Sequence, residues 1–591
     1  MSEVALQPRR ISAFDAALLT DLVMVGLLWC VTLFIVNPVG NFPIIDDEFY
    51  ERSVRSLLET GTYRPPEANM TFVTNLLWGT LFSLPAGVSF TVLRLSTLCA
   101  SLLGLFGTYL LVRDLRQPRW ICWVATLTLA FNPAYYALSN SFMTDVLFTV
   151  ISIWASLFFV RSLKSGSDFE IALGTVLAVA ATLSRQIGMA IPLAFAVALI
   201  LKRGKAWQTM LRAVGPVGIC LIAFLGFDHF LAASGRLPAT RDLYTNVAIS
   251  TFTHSQTLFT TPLSNLYCTC VYLGLFLLPV LLWTMRYSFR SVTKGALAVA
   301  AAGVVILLLA AVVRAHFGWS DFMPLPEGHI LRGTGIGLPW LRGVEHFPSL
   351  PGVFWVCVTI LAFMGTALFI FHLGVWVRSV AGSLLHRSPM SEAQIVTLFL
   401  LACGFILAVP YIGIRSTDRY LLPCVPFLTA GMLSFSTGTS GTATSGLGGS
   451  LRYVPFGLLA AFCMFSVVGT RDYLAWHRVS LEAAQDLMET NHVSAQNIDG
   501  GIEFDFMYPA PASHEEIVDK VKKLEHARPQ YFFTEQIRKQ YGILVGLGWR
   551  PSSPEYLVAF GPVSGYRVIR EYAYDNWMPP RVGKIVALQK E

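Results

Sequence analysis

Thirteen long apolar runs alternate with short polar connectors, at 14–36, 90–112, 119–137, 142–160, 170–186, 188–201, 210–232, 266–285, 295–316, 351–377, 393–412, 421–436 and 453–470. A helix needs about 20 apolar residues to cross the hydrocarbon of a bilayer. Backbone in hydrocarbon must satisfy its own hydrogen bonds, so such runs are helices. Only 13% of the chain is charged and its mean hydropathy is +0.57, whereas a soluble domain carries about 25% charged residues. A soluble enzyme, a disordered chain and a fibrous protein are thereby excluded. About a quarter of residues 471–591 are charged, against about a tenth of the first 470. The expected architecture is a mainly α, polytopic membrane protein of about thirteen transmembrane helices, followed by a small α/β or α+β soluble domain. The expected boundaries are 1–470, with a first outer loop at 37–89, and 471–591. The first run is followed by Asp46 rather than a small-residue cleavage site, which predicts a retained span.

Short-loop Lys and Arg set the orientation. With Arg9 and Arg10 inside, alternate loops carry 17 of the 29 basic residues that precede the tail, including all four Lys of this part. The long loops 37–89, 233–265 and 317–350 then fall outside, and thirteen spans put the tail on that outer side. The protein is thus expected to be a multi-pass protein of the cell inner membrane or plasma membrane.

The tail reads as helical at 473–490 and 515–526, with short strand-like runs at 530–534, 555–560, 566–570 and 584–588. Residues 436–450 are Gly-, Ser- and Thr-rich, the composition of a flexible linker. All ten cysteines precede the tail; Cys268 and Cys270 form the one close pair, which without a second pair is a weak metal signal. The net charge of +7 is scattered and forms no stripe for nucleic acid.

The strongest chemical feature is Asp46-Asp47-Glu48, followed by Phe49 and Tyr50, just past the first span. Adjacent carboxylates at a membrane boundary repel one another and lose hydration, which raises their pKa toward the range of a general base. They also suit a divalent cation; acids that merely favour a helix N-terminus are the plainer reading. Asp145 stands at the tight connection between the third and fourth runs, on the same side. A helix cap is the plainer reading there too. Arg185, Arg415 and Arg419 lie near the outer ends of runs. Arginine holds phosphate oxygens bidentately and stays charged in low dielectric; the plainer reading pairs Arg419 with Asp418 or a neighbouring acid, or lets it snorkel outward. His329 and His346 are further loop candidates for a metal.

Acids and arginines at one depth fit transfer of a group off a phosphate leaving group. The acid takes the acceptor's proton and the arginines stabilise the departing phosphate. No phosphate-binding glycine fingerprint occurs, so the donor is expected to arrive in the bilayer. A transporter of a lipid-linked or anionic substrate is the rival reading, although transporters bury charge near the midplane. A receptor or assembly scaffold is a third.

Residues 46–63 resemble the first outer loop of GT-C fold glycosyltransferases. They are most similar to the bacterial aminoarabinose transferases and the dolichyl-phosphate-mannose protein mannosyltransferases. Leu93-Arg94-Leu95-Ser96, Met143-Thr144-Asp145, Ser184-Arg185-Gln186 and Arg419-Tyr420-Leu421-Leu422-Pro423 with Pro426 resemble further segments of those families, in order. Where many relatives carry Lys-Pro-Pro, this chain reads Arg64-Pro65-Pro66.

The resemblance implies a polyprenyl-phosphate-sugar donor and an acceptor hydroxyl on a lipid, glycan or protein. It also implies inversion at the anomeric carbon. Asp47 would be the base, with Asp46 as the alternative. Glu48 and Asp145 would orient the acceptor or hold a metal, and Arg185 and Arg419 would hold the phosphate. Arg415 and Tyr50 join the expected substrate-binding set.

Overall fold

The computed structural model describes residues 13–67, 71–290, 293–385, 389–438, 453–528, 532–578 and 582–591. Arg9, Arg10, Arg387, Arg452, the linker from residue 439 and the start of the 530–534 run lie outside the described residues.

All thirteen apolar runs are helical. They form α1 (Ala13–Val36), then, after α2 (Asp47–Thr60) and α3 (Val73–Ala86), α4 (Phe90–Asp114), α5 (Arg119–Ala130) with α6 (Pro133–Ser139), α7 (Thr144–Ser165), α8 (Asp168–Ser184), α9 (Ala190–Arg203) and α10 (Trp207–Ala233). After α11 (Leu243–Thr253) come α12 (Thr260–Arg290), α13 (Lys294–His316), α14 (Gly352–Leu385), α15 (Glu392–Gly413), α16 (Cys424–Gly438) and α17 (Val454–Glu489). Ten of these helices are long and apolar enough to cross a membrane, and α5 with α6, bent by 63°, makes up to eleven. The count falls short of thirteen because α8 has 17 residues and α16 has 15. The α5–α6 bend has a local cause: Asn132 caps α6 from its side chain and Pro133 opens that helix.

The helices α7 and α12 are the most buried, whereas α10 and α13 turn most of their surface outward, as lipid-facing helices do. Gly274 of α12 and Gly365 of α14 let two backbones touch; a Cβ on Gly365 would stand 2.1 Å from the Gly274 carbonyl oxygen.

The expected boundary at 470/471 falls inside α17, which runs unbroken for 36 residues, about 54 Å at 1.5 Å per residue. The tail adds α18 (Ile502–Met507), α19 (His514–His526) and α20 (Glu535–Leu547). The strands β1 (Leu331–Arg332) and β2 (Gly335–Ile336) form a small hairpin within the 317–350 loop. In the tail, β3 (Ile498–Asp499), β4 (Tyr556–Ala559), β5 (Tyr566–Asp575) and β6 (Val582–Lys590) form one mixed sheet in the order β3-β4-β6-β5. Three of the expected strands are present. Of the fourth, the described residues 532–534 are coil leading into α20, with Thr534 as its cap.

The tail rests on the three long loops. Arg342 pairs with Asp499 at 2.8 Å, Ser250 donates to the Phe532 carbonyl at 2.6 Å, and Phe49 packs on Phe506 with ring centroids 4.8 Å apart. The tail and the loops 37–89, 233–265 and 317–350 therefore gather at one end of the helical bundle.

Candidate active site

The first loop is fixed from beneath by Arg94. Its guanidinium is fully buried and donates to the carbonyls of Pro38, Gly40 and Phe42, at 2.7, 3.2 and 2.8 Å. The loop ends at Ile45, whose φ of 61° is the left-handed region. That conformation is an outlier for a β-branched residue and costs on the order of 1–3 kcal/mol. It aims the acids that follow in three directions.

Asp46 occupies the N-cap position of α2 but makes no side-chain cap bond. Its Oδ2 faces Nη2 of Arg419 at 3.5 Å, and 32% of the side chain is open. Asp47 is buried and turned away from the cavity; its Oδ1 accepts the Phe142 N–H at 2.7 Å. Glu48 is buried with neither carboxyl oxygen hydrogen-bonded among the described residues. Burial raises all three above the ordinary carboxylate range. For Asp46 the Arg419 charge opposes this and Asp145 adds to it. Asp47 is pushed up to about 7, with Arg94 and the Phe142 N–H opposing. Glu48 lies well above the usual range, because burial is reinforced by the charge of Asp46.

Asp145, in the first turn of α7, is fully buried and does not cap the helix. Its Oδ1 stands 3.0 Å from Nη2 of Arg185 and its Oδ2 3.4 Å from Nε of Arg419. Arg185 also donates to Thr144 Oγ1 at 2.9 Å. Arg419 does not pair with Asp418. That carboxylate is spent on four backbone N–H groups, of His329, Ile330, Leu331 and Arg419, at 2.7–2.9 Å. Asp418 thus ties the 317–350 loop to the turn before α16. Tyr420 lies under both guanidiniums, 5.8 Å from that of Arg185 and 5.3 Å from that of Arg419, and stacks on Tyr411 at 5.0 Å.

Some of these groups line a cavity of about 350 Å³. Asp46, Tyr50, Arg185 and Arg419 face it, as do Glu67, Arg241, Tyr244, Tyr411 and Tyr420. Of the expected set, Asp47, Glu48, Asp145 and Arg415 are not in its wall; Asp145 acts from behind, through the two arginines. Arg64 is exposed and also outside it. The sequence reading gave Arg94 no role in the site, although it stood visible as a lone arginine opening an apolar run. It also missed Arg241 and Tyr244, for which no local signal existed.

Among the described residues, no group of three or more His, Cys, Asp or Glu side chains could hold a metal ion. The three acids diverge, and Asp145 is taken up by arginine. The residues do not fit a divalent cation. Cys268 instead contacts the buried Arg314, and His346 faces the Pro562 carbonyl in the tail.

Comparison with known proteins falls on the same part of the chain. Residues 71–228 match the family model of the dolichyl-phosphate-mannose-protein mannosyltransferases. That stretch holds Asp145 and Arg185, and there the resemblance to lipid-phosphate-sugar glycosyltransferases of the membrane is borne out. Among solved structures, ArnT from Cupriavidus metallidurans bound to undecaprenyl phosphate is 13% identical, covering 98% of each chain with a TM-score of 0.39. Its apo form is 13% identical, covering 97% of this chain and 98% of that one at 0.35. The S. cerevisiae protein O-mannosyltransferase Pmt1-Pmt2 complex bound to the sugar donor is 14% identical, covering 41% of this chain and 39% of that one at 0.29. No curated protein matches the chain.

Proposed function

We propose that the protein transfers a sugar from a polyprenyl-phosphate donor to an acceptor hydroxyl on the outer side of the membrane, with inversion. One observation carries this reading. A single cavity at one end of the bundle brings together Asp46 and two arginines, the half-buried Arg185 and the buried Arg419, from three separate segments. The family match over 71–228 supports a lipid-phosphate donor. The charged groups of this cavity sit at helix ends or in loops, not within spans, which speaks against the transporter reading.

Asp46, not Asp47, is the carboxylate that meets substrate. It takes the proton of the acceptor hydroxyl as that oxygen bonds to the anomeric carbon. The bond from that carbon to the phosphate oxygen breaks, and the donor's phosphate monoester leaves with an added negative charge. Before reaction, Asp46 and Asp145 offset Arg419 and Arg185. Protonation of Asp46 releases Arg419 from its partner as the phosphate gains charge. Stabilisation is thus greatest in the transition state, where it accelerates reaction. Asp47 and Arg94 anchor the loop. The test is transfer from a radiolabelled polyprenyl-phosphate sugar in membranes that contain the protein. Labelled donor carried across a vesicle without forming product would instead support transport.

A further inference from the structure

The hairpin between β5 and β6 points back toward the bilayer. The strand β5 descends beside α17. Arg570 and Tyr572 reach Asp486 at 2.7 and 2.8 Å, and the Trp577 N–H reaches Asp472 at 2.9 Å, fourteen residues and about 21 Å lower on the helix. The tip is fixed there. Buried Asp472 also accepts the Met578 N–H at 2.7 Å, and Arg471 donates to the Asp575 carbonyl at 2.9 Å. Met578 fills a notch between Gly335 of β2 and Gly469 of α17, where a Cβ would stand 3.1 Å from its Sδ and 2.9 Å from its Cε. Trp577 is thereby held outward, 53% exposed, with the Arg471 guanidinium 4.4 Å from its ring centre. Val582, which opens β6 across the hairpin, is 60% exposed.

The height of this tip is set by α17. Its exposed Tyr453, Gly457, Ala460 and Met464, followed by the half-buried Val468 and Arg471, recur every three or four residues and form one stripe along the helix. From Tyr453 to Arg471 that stripe spans eighteen residues, about 27 Å, close to the hydrocarbon thickness of a bilayer, about 30 Å. A second span gives the same level. Phe354, in the first turn of α14, stacks on Phe465 at 5.6 Å, and Val353 and Val356 beside it are exposed. Arg471 stands six residues, about 9 Å, beyond Phe465, which puts it and Trp577 at the headgroup layer. Tryptophan and arginine are side chains that settle at that layer, an apolar body in the acyl boundary and a polar end toward the headgroups. We propose that the β5–β6 tip is a membrane-contact site of the C-terminal domain: Trp577 and Val582 seat the tail on the phospholipid surface of the leaflet nearest to it. The surface continues the lipid-facing stripe of α17, so the occupant is the same bilayer that the helix crosses.

The experiment places the photo-crosslinker p-benzoyl-phenylalanine at position 577 of the full-length protein. Position 464, on the lipid-facing stripe, is the positive control, and position 567, exposed ten residues up β5, is the negative control. Membranes from cells grown on radiolabelled phosphate are irradiated, and phospholipid attached to the protein is identified by release of the label with phospholipase C. Label at 577 should be comparable with that at 464, with none above background at 567. Label at 464 alone overturns the proposal, as does equal label at 567 and 577. A protein adduct at 577 in place of lipid would assign the tip to a protein partner and also overturns it. Trp577→Phe gives a second measurement that does not depend on the inserted probe. In nanodiscs whose phospholipid is brominated near the headgroup, the quenched share of the fluorescence should fall in that variant by about one tryptophan of the chain's 14. An unchanged share overturns the contact.

Discussion

Oδ2 of Asp145 lies 3.4 Å from Nε of Arg419, which joins the first turn of α7 to the turn before α16. The same carboxylate holds Arg185 at 3.0 Å. One buried acid thus fixes two phosphate-binding candidates at a common depth. Removing one partner of such a buried cluster costs about 3–5 kcal/mol, because the others stay desolvated. Asp145→Asn should therefore lower thermal stability in detergent and disorder donor binding together. An unchanged melting temperature would show the arginines to be compensated elsewhere.

The two leading acids of the loop separate by role. Asp46→Asn should reduce transfer by about 10²–10⁴-fold, the usual worth of a general base, with expression and donor binding preserved. Asp47→Asn should act mainly on the stability of the loop, since it removes the charge opposite Arg94. Single-turnover rates on the two purified variants decide; the reverse ranking would make Asp47 the base.

The arginines should show in donor affinity. Arg185→Ala or Arg419→Ala should each weaken donor use by about 1.5–3 kcal/mol, the value of a charge-assisted hydrogen bond. Lysine should restore little, because it lacks the planar fork. Saturation curves with a polyprenyl-phosphate sugar measure this, and normal curves in both Ala variants would take them out of the phosphate site.

Asp47 also predicts a pH dependence of stability. Burial pushes its folded pKa up to about 7, above the ordinary unfolded value of about 3.9. Between these values the folded chain binds more protons at this site than the unfolded chain, so stability falls as pH rises from about 4 to 7. Asp47→Asn should flatten that slope. Melting temperatures at pH 5 and pH 7.5 in wild type and variant test it; equal slopes would assign the dependence to other groups.

Sidedness is testable with a C-terminal tag and protease on intact spheroplasts. Cleavage of the tag before lysis is expected from the Lys and Arg distribution. A tag protected until lysis would place the tail inside.

Much of this was legible in the chain because hydrocarbon leaves the backbone few options. All thirteen apolar runs became helices, although α8 and α16 were too short to settle their spanning from length. The arginines and Asp145 were found because charge at a span end is costly to keep without a partner. The order of the acids was not legible. Which of Asp46, Asp47 and Glu48 meets the cavity depends on the left-handed turn at Ile45, and no residue type there announces it. Nor was the role of Asp418 visible, since its partners are backbone amides of a loop almost ninety positions earlier. The packing of α18 against the acidic loop was hidden for the same reason: the contact between Phe49 and Phe506 is long-range.

The continuous α17 has a rotational consequence. A helix turns by about 100° per residue, and this one carries the tail without a hinge from the bundle to Glu489. One residue inserted near position 470 would swing everything beyond it a quarter-turn and carry Trp577 off the line of the Met464 stripe. Four inserted residues would bring it nearly back into phase, one turn farther out. The domain is thus geared to the bundle by angle as well as by contact, and function should vary with the phase of the insertion instead of its length.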